Sequence, residues 1–299
     1  MVVGRFAPSP SGRMHLGNVF TALMAWCSVR QKKGKMLLRV EDLDPDRSKP
    51  EFMKALKEDL LWLGLDWDEE MPLQSTRAQV YEHYFESLPV YPCYCTRSEL
   101  HSASAPHGRD GSLLYAGTCR NLTEEQRLSQ TRKPSWRLAL DDRRISYVDG
   151  VYGSVTQIPA EECGDFILRR ADGVYAYQLA VVCDDALGGV TEVVRGRDLL
   201  DSTPRQIWLY ERLGFKVPEF YHVPLLVAPD GRRLSKRERD LDLEHLRQHY
   251  SPEQLIGILA YSAGLISECE PLSSRALAEV FSWDNLKREN ISVLDYLPE

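Results

Sequence analysis

Two groups of residues, far apart in the chain, have the chemistry to handle a phosphate. In the first, Pro8 and Pro10 stiffen a loop that also carries Ser9 and Ser11, and Gly12 permits a close backbone approach. His15 then opens a helix whose free N–H groups point at any anion in front of them. His15 can donate to a phosphate oxygen, Gly17 leaves room for a flat base, and Asn18 adds a polar group beside it. The second group is Arg233, Leu234, Ser235, Lys236 and Arg237, just after Asp230 and Gly231. The Lys236 ammonium suits a charge that moves from an α-phosphate to a departing pyrophosphate. In isolation the first group is weak evidence and the second is also compatible with a basic surface turn, and it is their combination that points to nucleotide chemistry.

Such groups meet only if a sheet carries them to one crevice. Val2 to Phe6 is predicted as a buried strand, followed by the Pro/Ser/Gly loop and a helix from about His15 to Lys33 with Leu16, Val19, Phe20, Leu23 and Trp26 at helical spacing. Gly34 is placed to end that helix. Met36 to Val40 makes a second strand, and Phe52, Leu56, Leu60 and Leu63 mark an amphipathic helix. This alternation predicts a parallel α/β sheet with right-handed crossovers.

The pattern breaks near Tyr91. Phe166 to Arg170 and Val190 to Arg195 are expected to restore the sheet, before a helix from Ser202 to Leu213 begun by Thr203 and Pro204. Leucine-rich runs after residue 242 suggest a small helical cap.

At 299 residues and 43% hydrophobic content the chain fits a globular enzyme. It starts without a signal-peptide pattern and has no run long enough to span a membrane, so a cytoplasmic, membrane-free protein is expected, read as a monomer. A net charge of −7 gives no global attraction to nucleic acid, so RNA contact has to rely on local basic clusters. One comprises Arg30, Lys32, Lys33 and Lys35, for which a solvated surface is the preferred reading; the other is Arg232, Arg233, Lys236, Arg237 and Arg239. Seven scattered cysteines speak against a disulfide framework and favour reduced or metal-bound thiols.

The two phosphate-handling groups resemble the two signatures of class I aminoacyl-tRNA synthetases in their glutamyl form. The segments Arg5 to Gly12, Glu41 to Asp44 and Arg195 to Leu200 are similar to glutamyl-tRNA synthetase sequence, so the likeness covers most of the chain. The resemblance implies a Rossmann-type parallel sheet with a zinc-bearing insertion and a C-terminal helical subdomain. The expected divisions are 1–90 and 161–228 for the two halves of the catalytic domain, 91–160 for an inserted metal-binding and acceptor-contacting part, and 229–299 for the Ser-Lys loop and helical part. It further implies that L-glutamate and ATP, the latter with Mg2+, form an aminoacyl adenylate. Arg5, Phe6, Ala7, Pro8, Ser9, Glu41, Tyr177 and Arg195 would hold glutamate. Pro8, Ser11, Gly12, His15, Gly17, Asn18 and residues 233–237 would hold ATP, with His15 and Lys236 catalytic.

The chemistry of that set agrees. Glutamate offers two carboxylates and an ammonium; Arg5 and Arg195 suit the former and Glu41 the latter. Which arginine takes the side chain stays open, as does an ion pair between Glu41 and either arginine. Val181 falls where a polar pocket residue is expected.

Full-length members continue into an anticodon-binding part, which this chain is expected to lack. That absence points to the shortened group of the family, which passes activated glutamate to the cyclopentene diol of queuosine in tRNA(Asp). Charging of tRNA(Glu), or a non-catalytic RNA-binding paralogue, are the alternatives. The same group carries a zinc site similar to Cys93, Cys95, Tyr115 and Cys119, with a structural role implied. Spacing alone leaves buried free thiols equally open, and His101 and His107 are substitutes for Tyr115. Asp184 and Asp185 suit either magnesium or a helix end. Cys27, Cys163, Cys183 and Cys269 are read as packing residues, and Trp26, Trp62, Trp67 and Trp208 as core.

Overall fold

The structure is a computed structural model and describes residues 1–46, 48–100, 114–228, 231 and 242–293. Its strands in chain order are Val3–Phe6 (β1), Lys35–Leu38 (β2), Glu69–Glu70 (β3), Val90–Cys93 (β4), Ser135–Leu138 (β5) and Ile145–Asp149 (β6). They continue with Gly153–Gln157 (β7), Ile167–Arg169 (β8), Glu192–Gly196 (β9), Glu219–Val223 (β10), Leu226–Val227 (β11) and Ile291–Ser292 (β12).

Seven of these form one sheet in the order β3-β2-β1-β9-β10-β6-β7, parallel throughout except for the β6–β7 hairpin. β1 ends at Phe6 and its neighbour β9 begins only at Glu192, with β2 on the other side of β1, so the direction of winding reverses there. A ligand crevice is expected at such a point, beyond the carboxyl ends of the strands.

Period-two alternation supplies a core on each face of this sheet. Met36, Leu38, Val194 and Val223 belong to one core, together with the helix Leu16–Gln31 and the C-terminal helices Pro252–Ser262 and Ser274–Val280. Leu37, Val193 and Phe220 belong to the other, with the helices Ala78–Phe85, Tyr177–Leu187 and Thr203–Arg212.

Gly4 brings the first helix close to the sheet. A Cβ there would lie 2.3 Å from Cγ2 of Val29, closer than real side chains pack. That contact presses the helix onto β1 and points its N-terminus at the crevice. At the other end it is Lys33, with φ 51°, that takes the left-handed conformation expected of Gly34. Gly34 has a different necessity, since a Cβ on it would come within 2.6 Å of the Val2 carbonyl oxygen.

A second, three-stranded sheet, β4-β5-β8, is antiparallel. The strand expected within Phe166–Arg170 therefore joins this small sheet instead of resuming the large one. The large sheet is extended by β6 and β7, from a stretch where the sequence pattern had suggested an interruption. The apolar pattern of a strand marks its buried face but does not say which partner it will find. Among the described residues no helix is long and apolar enough to cross a membrane.

Candidate active site

A cleft of about 560 Å³ opens at the carboxyl ends of the central strands. Arg5 to Ser9 enter it from the end of β1, Glu41 from the segment after β2, Arg195 and Gly196 from β9, and Pro224 to Leu226 from the segment after β10. Ser11, Gly12, His15, Gly17 and Asn18 line it from the loop and first turn of the first helix, and Tyr177 from the start of its own helix. The structure thus brings together every described residue that the sequence assigns to glutamate or ATP. Residues 233–237, including Lys236, lie outside the described residues.

Both flanks of that segment are nevertheless at the cleft. Leu226 lines it on one side, while on the other Asp242 forms an antiparallel bridge with His15 and Leu243 N–H donates to Met14 O at 2.9 Å. Arg13 and Glu244 add an ion pair at 2.9 Å.

The first helix has no acidic residue in its opening turn, so its N-terminal positive end is not offset from within the helix. A Cβ on Gly17 would stand 3.1 and 3.2 Å from Cε1 and Nδ1 of the His15 ring. The bare glycine backbone is what lets that ring lie against the turn.

The two cleft arginines are held in opposite ways. Arg5 is buried and donates to Val194 O at 3.2 Å, and its Nε lies 3.3 Å from an Asp185 carboxylate oxygen. Arg39, fully buried, also pairs with Asp185 and reaches Glu41 at 3.0 Å. Burial alone would raise the Asp185 carboxyl, but Arg39 and Arg5 outweigh it and hold it below the usual range. At Glu41 burial wins over Arg39 and Arg5, and its carboxyl is pushed up. The ion-pair partner of Glu41 is therefore Arg39, not Arg5 or Arg195, and an incoming ammonium would favour its charged form.

Arg195 is buried as well, but its partners are neutral. It donates to His222 Nε2 at 3.0 Å, Gln206 Oε1 at 2.7 Å, Thr203 Oγ1 at 2.7 Å and Leu199 O at 3.4 Å. Asp149 Oδ2 lies 2.6 Å from the far nitrogen of His222, Nδ1. Burial first, and then the Arg195 charge, drive His222 down to about 4 against the pull of Asp149. The ring is neutral near pH 7.

Behind the cleft, Asp184 and Asp185 sit in the last turn of the helix Tyr177–Leu187, where their carbonyls accept from the N–H groups of Gly188 and Val190 at 2.9 Å, so the helix-end reading holds. Asp184 accepts from Gln74, Arg77 and Tyr81 at 2.7 to 2.9 Å, and Asp185 is taken by the two arginines. These carboxylates are structural anchors, so the magnesium reading has no support. Val181, in the same helix, is 1% exposed and packs in the core, away from the cleft. It bears on packing and not on substrate contact.

Sequence reasoning missed Asp198 and Thr21, which also line the cleft, and the partners Asp149, His222, Asp185 and Arg39. Asp149, His222 and Asp185 have no local spacing signal, because they meet their partners across distant segments, whereas Thr21 lies one helical turn after Gly17 and Arg39 two residues before Glu41. Asp198 falls within the Arg195 to Leu200 segment and was open to detection in the same way.

A separate cluster lies beside the small sheet. The Sγ atoms of Cys93, Cys95 and Cys119 are all within 4.8 Å of one another, with Cys95 and Cys119 at 3.6 Å. The Tyr115 hydroxyl is 3.5 Å from Cys93 Sγ and accepts from the Cys119 N–H at 2.7 Å. Arg137 donates from Nε to Cys93 Sγ at 3.2 Å and lies 3.8 Å from the Tyr115 ring centre. Three thiols and a phenol oxygen gathered so closely fit a tetrahedral metal, and Arg137 would offset the negative charge that their ionisation leaves. His101 and His107 lie outside the described residues.

Of the first basic cluster, Arg30 pairs with Asp66 and Asp68, Lys32 with Glu192 and Lys35 with Glu69, so three of its four charges are met on the protein itself. The second cluster lies outside the described residues. Trp26 and Trp208 are buried as expected, while Trp62 and Trp67 are partly buried against the core.

The family of class I tRNA synthetases (E and Q), catalytic domain, matches residues 1–277. A glutamyl-Q tRNA(Asp) synthetase from Symbiobacterium thermophilum is 47% identical over 311 residues, covering 98% of this chain and 96% of its own. One from Nitratidesulfovibrio vulgaris is 48% identical, covering 91% and 89%. Among solved structures, glutamate-tRNA synthetase from Elizabethkingia anophelis is similar with TM-score 0.83 at 27% identity, covering 97% of this chain and 68% of that one.

Proposed function

This chain belongs to the class I tRNA synthetases (E and Q), and on that premise we propose that it activates L-glutamate with ATP and passes it to queuosine in tRNA(Asp). It is a ligase, and glutamyl transfer is the activity its family and named relatives support. The finer reading takes the acceptor from the relatives' names and the chemistry from the cleft. The observation that carries it is the charge pattern there: two buried guanidiniums and one carboxylate converge on the space in front of a helix N-terminus.

In this reading Arg5 and Arg195 receive the two glutamate carboxylates and Glu41 its ammonium. Phe6, Ala7, Pro8, Ser9 and Tyr177 complete the walls. ATP, with Mg2+, lies along Pro8, Ser11, Gly12, His15, Gly17 and Asn18, where helix N–H groups and the His15 ring meet its phosphates. A glutamate carboxylate oxygen attacks the α-phosphorus, the bond to the β-phosphate breaks and pyrophosphate leaves. Binding in one cleft makes that encounter effectively intramolecular.

The Lys236 ammonium is assigned to the developing charge. That assignment rests on the family resemblance, and the nearest described residue after it, Asp242, is bridged to His15 at the cleft. A hydroxyl of the queuosine diol then attacks the glutamyl carbonyl, its proton is lost, and AMP departs.

Cys93, Cys95, Tyr115 and Cys119 would hold a zinc ion, which when bound supplies a structural cross-link. Arg137 and the small sheet fix those side chains in place.

The test is incubation with ATP, labelled glutamate and separate pools of tRNA(Asp) with queuosine, tRNA(Asp) without it, and tRNA(Glu). Label only on the first is expected. Label on tRNA(Glu), indifferent to queuosine, would overturn the acceptor assignment.

A further inference from the structure

Arg195 poses a problem that Arg5 does not. A buried guanidinium usually pairs with a carboxylate, as Arg5 and Arg39 do with Asp185. Arg195 is 4% exposed, yet each of its described partners is an uncharged acceptor. Its charge is left for whatever enters the cleft, and a further N–H on Nη1 is left over as well.

The second layer explains how a neutral imidazole is made to serve as an acceptor. Asp149 Oδ1 accepts from the N–H groups of Val151 at 3.0 Å, Tyr152 at 2.9 Å and His222 at 3.4 Å, so Oδ2 is the oxygen that faces His222 Nδ1. An ionised carboxylate only accepts, so the proton of the ring sits on Nδ1. Nε2 is then a bare lone pair, and the Arg195 Nε–H, which can only donate, points at it from 3.0 Å.

We propose that Asp149 and His222 are positioning residues for the substrate carboxylate. Asp149 selects the ring tautomer, the ring fixes the Arg195 guanidinium, and the use of a neutral acceptor keeps the full positive charge of Arg195 available to glutamate. A carboxylate in place of His222 would hold Arg195 as firmly but would cancel that charge. The inference rests on the reading that Arg195 meets glutamate.

Asp149→Asn tests the tautomer directly. The three backbone N–H groups on Oδ1 require an oxygen there, so the amide –NH2 must turn to Nδ1. The ring proton then moves to Nε2, where it opposes the Arg195 Nε–H. The expected result is a KM for glutamate raised roughly tenfold or more, with kcat and the KM for ATP changed less than about threefold. In 15N NMR of histidine-labelled protein, the protonated nitrogen of His222 should switch from Nδ1 to Nε2.

His222→Gln and His222→Asn form an independent pair, which decides the matter even if Asp149→Asn does not fold. Gln can place its Oε1 where Nε2 stood and should retain most glutamate affinity; Asn reaches only toward Asp149 and should lose it. Arg195→Gln separates the two claims. If it leaves the glutamate KM unchanged, the reading of the cleft fails. If it raises that KM while Asp149→Asn, or His222→Asn relative to His222→Gln, does not, the positioning role is overturned.

Discussion

Replacing Asp185 by Asn keeps the shape of a buried side chain and removes a charge that faces two guanidiniums. Asp185 is 2% exposed, with Arg39 at 0% and Arg5 at 5%, so water can do little to compensate. At the 3.3 Å separation from Arg5, a unit pair in an effective dielectric of about 20 is worth roughly 5 kcal/mol before the cost of desolvation is subtracted. In Asp185→Asn, Glu41 and Asp184 would be left to balance Arg39, and the pairing of Glu41 is with Arg39 and not with Arg5.

Breaking a buried pair by removing one partner costs about 3–5 kcal/mol, and this is the destabilisation expected at pH 7. With a urea slope near 3 kcal/mol/M, the unfolding midpoint should fall by roughly 1–1.7 M. Arg5 also loses the partner of its Nε, so glutamate affinity should fall with stability. The sign with pH follows from the depressed Asp185 carboxyl. Its stabilisation is present above the unfolded value near 3.8 and is lost as pH falls through the lower folded value, so the two proteins should converge only in strong acid. A loss under about 1 kcal/mol at pH 7 would refute the view that this network is held by charge.

Gly17→Ala should leave the fold as stable as before or slightly more so, since Ala is the better helix former. Its Cβ would push the His15 ring by a few tenths of an ångström, however, and the rate of pyrophosphate exchange should fall about two- to fivefold; an unchanged rate would count against close packing of the ring on this turn in the working enzyme. Protein purified without chelators should carry one zinc per chain on elemental analysis, lost in Cys93→Ser and Cys119→Ser with a lower melting temperature. A metal-free wild type that melts normally would count against the metal site. His222 is depressed from 6.5 to about 4, so its contribution is complete above pH 6.5 and declines as pH falls through that window, by up to about 3 kcal/mol. Denaturant titrations between pH 7 and 4 should show this acid limb flattened in His222→Gln, and an equal slope in both proteins would contradict the assignment.

The residues that touch the cleft were legible in the sequence because they cluster in short runs. Arg5 to Asn18 is one loop and helix start, Glu41 follows the next strand, and Arg195 ends another, so local chemistry and strand order placed them together. What the sequence hid were contacts between distant segments. His222 and Asp149 lie 73 residues apart and meet only because β10 and β6 are neighbours. Asp184 and Asp185 look like a metal pair when read along the chain; the fold surrounds them with Arg77, Arg5 and Arg39. The strand Ile167–Arg169 was visible from its apolar residues, but its partner depended on where the antiparallel strand Ser135–Leu138 came to rest. Val181 followed the same logic, since helical spacing from Tyr177 does not say which face turns to the core.

The most direct measurement is exchange of labelled pyrophosphate into ATP, with queuosine-bearing tRNA(Asp) present, comparing glutamate with aspartate and glutamine. Exchange is expected with glutamate alone, and it should collapse in both Arg5→Gln and Arg195→Gln. Exchange that persists undiminished in both variants, or none with glutamate in a folded wild-type protein, would contradict the claim that this cleft selects and activates glutamate.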